Sequence, residues 1–226
     1  MSHHLRSSAK VKKLTAVAMF CALAFACTAL IKVPVGFLTL DVKDALIILC
    51  SLLFGPIAGL AVAVIVPLLE YMTISATREY GLIMNLLSSI TFSMVTGLIY
   101  RYKKSLGGAV IGLVSGIFAV TSVMMLANLL ITPHYMGTTM DVVVDMIPKV
   151  LFPFNLFKSI LNAAIVLLLY KPLSTTLKRI GFLPRSRKSA ENAPSVKDTH
   201  LRSILTTTIA LLVIAGSLVI LLFVLK

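Results

Sequence analysis

Carboxylates are scarce in this chain: Asp and Glu together number 8, against 21 Lys and Arg. Charged residues of both signs make up only 13% of the 226 positions, and tryptophan is absent. Soluble domains are ordinarily about 25% charged and about 45–50% apolar. At 58% hydrophobic and a mean hydropathy of +1.01, this chain is an integral membrane protein. No G-x-x-x-x-G-K-S/T loop occurs, which removes ATP hydrolysis by the chain itself. No H-E-x-x-H or Cys/His cluster offers a metal site. Cys21, Cys27 and Cys50 lie inside apolar runs, against a disulfide framework. The carboxylates Glu70, Glu79, Asp141 and Asp145 read as outer-loop or helix-end groups, without the buried pairing that proton coupling favours.

Long hydrophobic runs are abundant: residues 14–31, 45–54, 57–72, 82–100, 110–131, 150–170 and 204–225. A helix needs about 20 residues to cross a bilayer. The run 45–54 falls short of that and is expected to be a tilted or partly buried span. The fold expected is all-α, a six-helix membrane bundle over residues 1–182. A polar, Pro-containing cytoplasmic linker over 183–202 and an appended seventh helix over 203–226 complete it. The first run, longer than a signal-peptide core, reads as an uncleaved helix.

The net charge of +13 is a topology signal and does not point to nucleic acid. Arg6, Lys10, Lys12 and Lys13 precede the first helix, Arg101, Lys103 and Lys104 follow the fourth, and further Lys/Arg crowd residues 171–202. If every run crosses, these segments share one side. The positive-inside rule then puts the N-terminus in the cytoplasm of a multi-pass cell-membrane protein. Anionic membrane lipid is a secondary partner.

The sixth run is interrupted by polar groups. Asn155, Lys158 and Asn162 are spaced i, i+3, i+7 and share one helical face. An ammonium near mid-bilayer costs at least about 2.5–3.5 kcal/mol, and such residues usually mark a substrate or ion path. The bland alternatives are a snorkelling lysine and asparagines that only join helices. Asn85 and Asn128 sit at a similar depth, about one turn inside the outer ends of helices four and five. With Asn155 and Lys158 they imply an outward-facing polar cavity, capped by the apolar loop 32–44 and the connection 133–148. Asp41 reads as a helix N-cap. On helix one, Ala18, Ala22 and Ala26 form a small-residue stripe of the kind that lets a second backbone come close; Gly108, Gly112 and Gly116 form another on helix five.

This pattern resembles the substrate-binding S subunits of energy-coupling factor (ECF) transporters, and among them the riboflavin-specific ones. The resemblance covers residues 10–181. It rests on six helices with a basic N-terminus, the alanine stripe, the segment LDVKDALIILCSLLFGPIAG over 40–59, and FNLFKSILN over 154–162. It implies that Asn155, Lys158 and Asn128 bind the flavin and that Ala18, Ala22 and Ala26 dock on a transmembrane coupling subunit, itself linked to two ATPase subunits. It implies no cofactor, riboflavin being the transported ligand, and no enzyme activity. The seventh helix departs from the family pattern. Asparagine amides suit the alternating donors and acceptors of a flavin's pyrimidine edge, and an ammonium suits a carbonyl oxygen. Asn85 completes the polar set. Phe37, Leu38, Met84, Tyr135, Phe152 and Phe154 are candidate apolar walls, and Thr39 a partner for ribityl hydroxyls. Two readings compete: an S subunit for another vitamin or nucleobase-like solute, and a small intramembrane enzyme using Lys158, for which no second catalytic group is visible.

Overall fold

The computed structural model describes residues 2–75 and 77–183, so the expected linker and seventh helix lie outside the described residues. Helix α1 spans Ser2–Leu30. A small antiparallel hairpin follows, β1 (Val33–Val35) with β2 (Leu38–Leu40), paired in the register Val33↔Leu40 and Val35↔Leu38. Then come α2 (Lys43–Phe54), α3 (Pro56–Thr73), α4 (Arg78–Tyr102), α5 (Leu106–Met136), the short α6 (Met140–Met146) and α7 (Phe152–Arg179). A single π turn, Ile147–Leu151, joins α6 to α7. Pro148 and Pro153 cannot donate to an α-helical ladder, and the wider turn lies where they break it.

Five segments are long and apolar enough to cross a membrane: Lys10–Leu30, Pro56–Thr73, Arg78–Tyr102, Leu106–Met136 and Met140–Arg179. The sixth bundle helix, α2, has 12 residues, and at about 1.5 Å per residue it cannot span a core about 30 Å thick. It forms the centre of the bundle instead. Ala45, Ile47, Ile48, Leu49 and Cys50 are fully buried, as expected of a helix apolar on all sides. Gly55, at φ 97°, ends α2 and Pro56 starts α3, so the two helices turn directly into each other.

The loop 32–44 folds back over the bundle, as its apolar character predicts, but as a hairpin turning at Gly36 (φ 61°). The connection 133–148 is mostly helical, because α5 runs through Pro133 to Met136 and α6 follows almost at once.

The two small-residue stripes have opposite uses. Gly112 and Gly116 face α4 so closely that a Cβ on Gly112 would stand 2.8 Å from the Thr96 carbonyl oxygen. Thr96 Oγ1 donates to the Gly112 carbonyl oxygen at 3.2 Å across the same contact. This ridge is internal packing. Ala18, Ala22 and Ala26 are all exposed, while Ala16, Phe20, Ala24 and Thr28 on the other face of α1 are buried. Substitution of Gly112 by valine should therefore cost about 1–3 kcal/mol by overpacking, read as a lower melting temperature in detergent, whereas Ala22→Leu should leave the melt unchanged.

Candidate functional site

The basic segments gather at one end of the bundle. Lys12 Nζ donates to the Gly181 carbonyl oxygen at 3.3 Å, tying the start of α1 to the end of α7. A cavity there is lined by Lys13, Arg101, Lys104 and Lys178 around Gly55 and Pro56. It reaches Leu183, the last described residue, from which the chain continues.

A second cavity occupies the opposite end, beneath the hairpin, and here the polar residues named from the sequence converge. Asn85 (α4), Asn128 (α5), Asn155 and Lys158 (α7), with Leu38 and Thr39 of β2, all line it. Phe37, Met84, Tyr135 and Phe154 supply apolar wall as expected. Phe152 does not; it is 45% exposed on the outside of the bundle. The open space is about 100 Å³, below the roughly 300 Å³ at which pockets for drug-sized ligands begin. A large ligand requires the walls to move apart.

Each polar group is held before any ligand arrives. Asn128 Nδ2 donates to the Met124 carbonyl oxygen at 2.7 Å, and its Oδ1 accepts from Thr132 Oγ1 at 2.9 Å. Asn155 Nδ2 donates to the Leu151 carbonyl oxygen at 2.8 Å, which leaves its Oδ1 without a partner among the described residues. Lys158 Nζ donates to Asp41 Oδ2 at 2.8 Å and to the Thr39 carbonyl oxygen at 3.4 Å. Its third N–H is available to the cavity.

Asn162 departs from the sequence reading. It shares the face of Asn155 and Lys158 but is fully buried and does not line the cavity. Its Oδ1 accepts from the backbone N–H of Ala45 at 2.8 Å, and its Nδ2 donates to the Asp41 carbonyl oxygen at 3.2 Å. Helix α2 begins after Val42 with no side-chain cap of its own, and Asn162 of α7 supplies from across the bundle the shorter of the two acceptors of the Ala45 N–H, the other being the Val42 carbonyl oxygen at 3.3 Å. The expectation that Asp41 is the N-cap is thereby corrected. Asn162→Leu should cost about 1–3 kcal/mol of stability, since it leaves the Ala45 N–H only the longer 3.3 Å bond to the Val42 carbonyl oxygen and strips the buried Asp41 carbonyl of its donor, and this loss should appear in the melt with or without ligand.

The carboxylates also differ from expectation. Glu70 is 2% exposed and accepts from three donors: Lys32 Nζ at 3.3 Å, Lys43 Nζ at 2.9 Å and Asn85 Nδ2 at 3.2 Å. Lys43 also donates to Asp41 Oδ2 at 3.2 Å. Asp44 accepts from Ser88 and Ser89 of α4. A buried ladder of alternating charge thus runs Lys32, Glu70, Lys43, Asp41, Lys158 beneath and beside the cavity. At Asp41, in the connection outside the spanning helices, burial favours the protonated acid. The ammonium groups of Lys158 and Lys43 overcome it and hold the carboxyl well below the ordinary range. The signal in the sequence was present but misassigned: Asp41-x-Lys43-Asp44 opens a wholly apolar helix, and Glu70 lies inside an apolar run.

Comparison with known proteins places the chain in a family. The model of the family "ECF transporter, substrate-specific component" matches residues 12–174. The chain is 31% identical over 179 residues to the riboflavin transporter RibU of Staphylococcus aureus (strain TCH60), covering 75% of this chain and 94% of that protein. It is 26% identical over 183 residues to the riboflavin transporter FmnP of Bacillus subtilis (strain 168), covering 75% and 96%. A solved structure of the S component of a bacterial ECF transporter superposes with a TM-score of 0.64 at 31% identity, covering 75% of this chain and 99% of the other. A bundle of apolar helices around a buried polar floor, matched over most of its length by this family's model, is a multi-pass membrane protein, and the chain belongs to the substrate-specific components of ECF transporters.

Proposed function

We propose that this chain is the riboflavin-binding subunit of an ECF transporter, with the cavity beneath the hairpin as its ligand site. The observation that carries the reading is the convergence of Asn128, Asn155 and Lys158 on one cavity with apolar walls, in a chain whose relatives include two riboflavin transporters. The free Oδ1 of Asn155 and the remaining N–H of Lys158 offer an acceptor and a donor to the pyrimidine edge of an isoalloxazine ring. Phe154, Met84 and Leu38 supply apolar surface for its flat body. Asn85 and Thr39, with Thr77, Thr132 and Tyr80 nearby, are partners for the ribityl hydroxyls.

The engine lies elsewhere, in a transmembrane coupling subunit and two ATPase subunits. The exposed face Ala18, Ala22, Ala26 is the docking stripe for the coupling subunit, since small side chains admit a close backbone. The gathering of Lys and Arg at the end remote from the site supports a cytoplasmic N-terminus and an outward-facing cavity. No residue of the linker read over 183–202 or of the added span read over 203–226 is assigned to the pocket, so truncation after Gly181 should retain binding.

Reconstitution in liposomes tests this division of labour. The chain alone should not concentrate riboflavin, and addition of the coupling and ATPase subunits with ATP should restore uptake. Ala22→Leu should bind riboflavin normally and fail to support uptake. Accumulation by the chain alone, driven by a proton or sodium gradient, would contradict the reading.

A further inference from the structure

Asp41 does not line the cavity, is 1% exposed, and is absent from the set of groups assigned to the ligand. Its Oδ2 nonetheless receives two ammonium groups, Lys158 at 2.8 Å and Lys43 at 3.2 Å, while its Oδ1 has no partner among the described residues. Lys43 is in turn fixed by Glu70 at 2.9 Å. The only charged neighbour within ion-pair reach of Lys158 among the described residues is therefore a carboxylate that is itself anchored through α2 to α3.

We infer that Asp41 is a positioning residue for ligand binding: it sets the place and neutralises the charge of the Lys158 ammonium, so that Lys158 reaches the ligand as a directed hydrogen-bond donor. An unpaired lysine on a flexible four-carbon stem has many rotamers, and fixing it on binding would cost affinity. The Asp41 contact, with the Thr39 carbonyl oxygen as second acceptor, removes that freedom beforehand. It also compensates a cation that would otherwise face an uncharged ring system from a low-dielectric wall.

Asp41 has an alternative role, simple support of the start of α2. That role runs partly through its backbone carbonyl, which accepts from Asn162 and survives side-chain substitution, and partly through Oδ2, which accepts from Lys43 at the start of α2 whether or not Lys158 is present. A double-mutant cycle separates the two. The inference rests on the riboflavin reading, so the full chain in detergent is titrated with riboflavin as wild type, Asp41→Asn, Lys158→Met and the double variant. Asp41→Asn should raise the Kd roughly 10–100-fold in the wild-type background, as for loss of a charge-assisted contact, and change it less than about twofold when Lys158 is already methionine. If Asp41→Asn is not recovered in monodisperse form, Asp41→Glu carries the same cycle, because it keeps the charge and misplaces the ammonium. An equal loss in both backgrounds, or no loss in either, would assign Asp41 to the scaffold and overturn the inference alone. A wild type that binds no riboflavin would remove the substrate reading, and this inference with it.

Discussion

Glu70→Gln should destabilise the protein by about 3–5 kcal/mol, the usual consequence of removing one member of a buried ion pair and leaving the other uncompensated. Here two ammonium groups lose their partner. Lys43 is fully buried and would keep only Asp41, and Lys32, 24% exposed, would lose the one carboxylate it reaches. Glutamine preserves the shape, so the effect isolates the charge. Heating in detergent with a thiol-reactive fluorophore reads it directly, since Cys21 and Cys50 are buried and become reactive on unfolding. At about 2–4 °C per kcal/mol for a chain of this size, the midpoint should fall by roughly 6–20 °C. Glu79 is the control. It is exposed and accepts a long hydrogen bond from Tyr71 at 3.4 Å, so Glu79→Gln should leave the midpoint unchanged. A melt for Glu70→Gln that matches the control would mean that the buried ladder carries no structural load.

Lys158→Met should weaken riboflavin binding by about 1.5–3 kcal/mol, roughly 10–150-fold, as expected when a hydrogen bond to a charged donor is lost. The fold should survive this change better than the loss of Glu70. Asp41 keeps Lys43 as a counter-ion at 3.2 Å, and methionine fills the space of the lysine stem. The two variants therefore pull apart: Glu70→Gln acts mainly on the melt, Lys158→Met mainly on affinity. Quenching of riboflavin fluorescence measures the second. Equal affinity in the variant and the wild type would remove Lys158 from the site.

The contrast between these two positions explains what could be read from the sequence. Lys158 was legible because it stands well inside an apolar run, short of the basic segment that begins at Lys171, where snorkelling is a poor explanation. Asn85, Asn128 and Asn155 were legible for a related reason: their depth, counted from the helix ends, placed them at one level, and the helices bring that level together. Glu70 was misread because counting gives depth along a helix but not the direction a side chain takes around it. Three residues after Pro67 it looked like a group emerging at the surface, whereas α3 continues to Thr73 and turns Glu70 inward. The role of Asn162 depended on a contact with α2, 117 residues away in sequence, and no local pattern encodes such a pairing. The difference between the alanine stripe of α1 and the glycine ridge of α5 has the same origin. Both have four-residue spacing, and only the packed bundle decides which one meets α4 and which one is left exposed. The run 45–54 read as a short but tilted or partly buried span; the 12-residue α2 instead fills the buried centre of the bundle, a placement that only packing against the other helices decides.

On the proposed function, the bundle presents a built site for an uncharged flavin beneath its hairpin. Titration of riboflavin with the purified, detergent-solubilised full chain tests it most directly. Saturable quenching at one riboflavin per chain is expected, weakened by Lys158→Met and Asn155→Leu without a matching loss of the folded protein. Absence of quenching in a folded, monodisperse wild type, or quenching that both variants leave untouched, would contradict it.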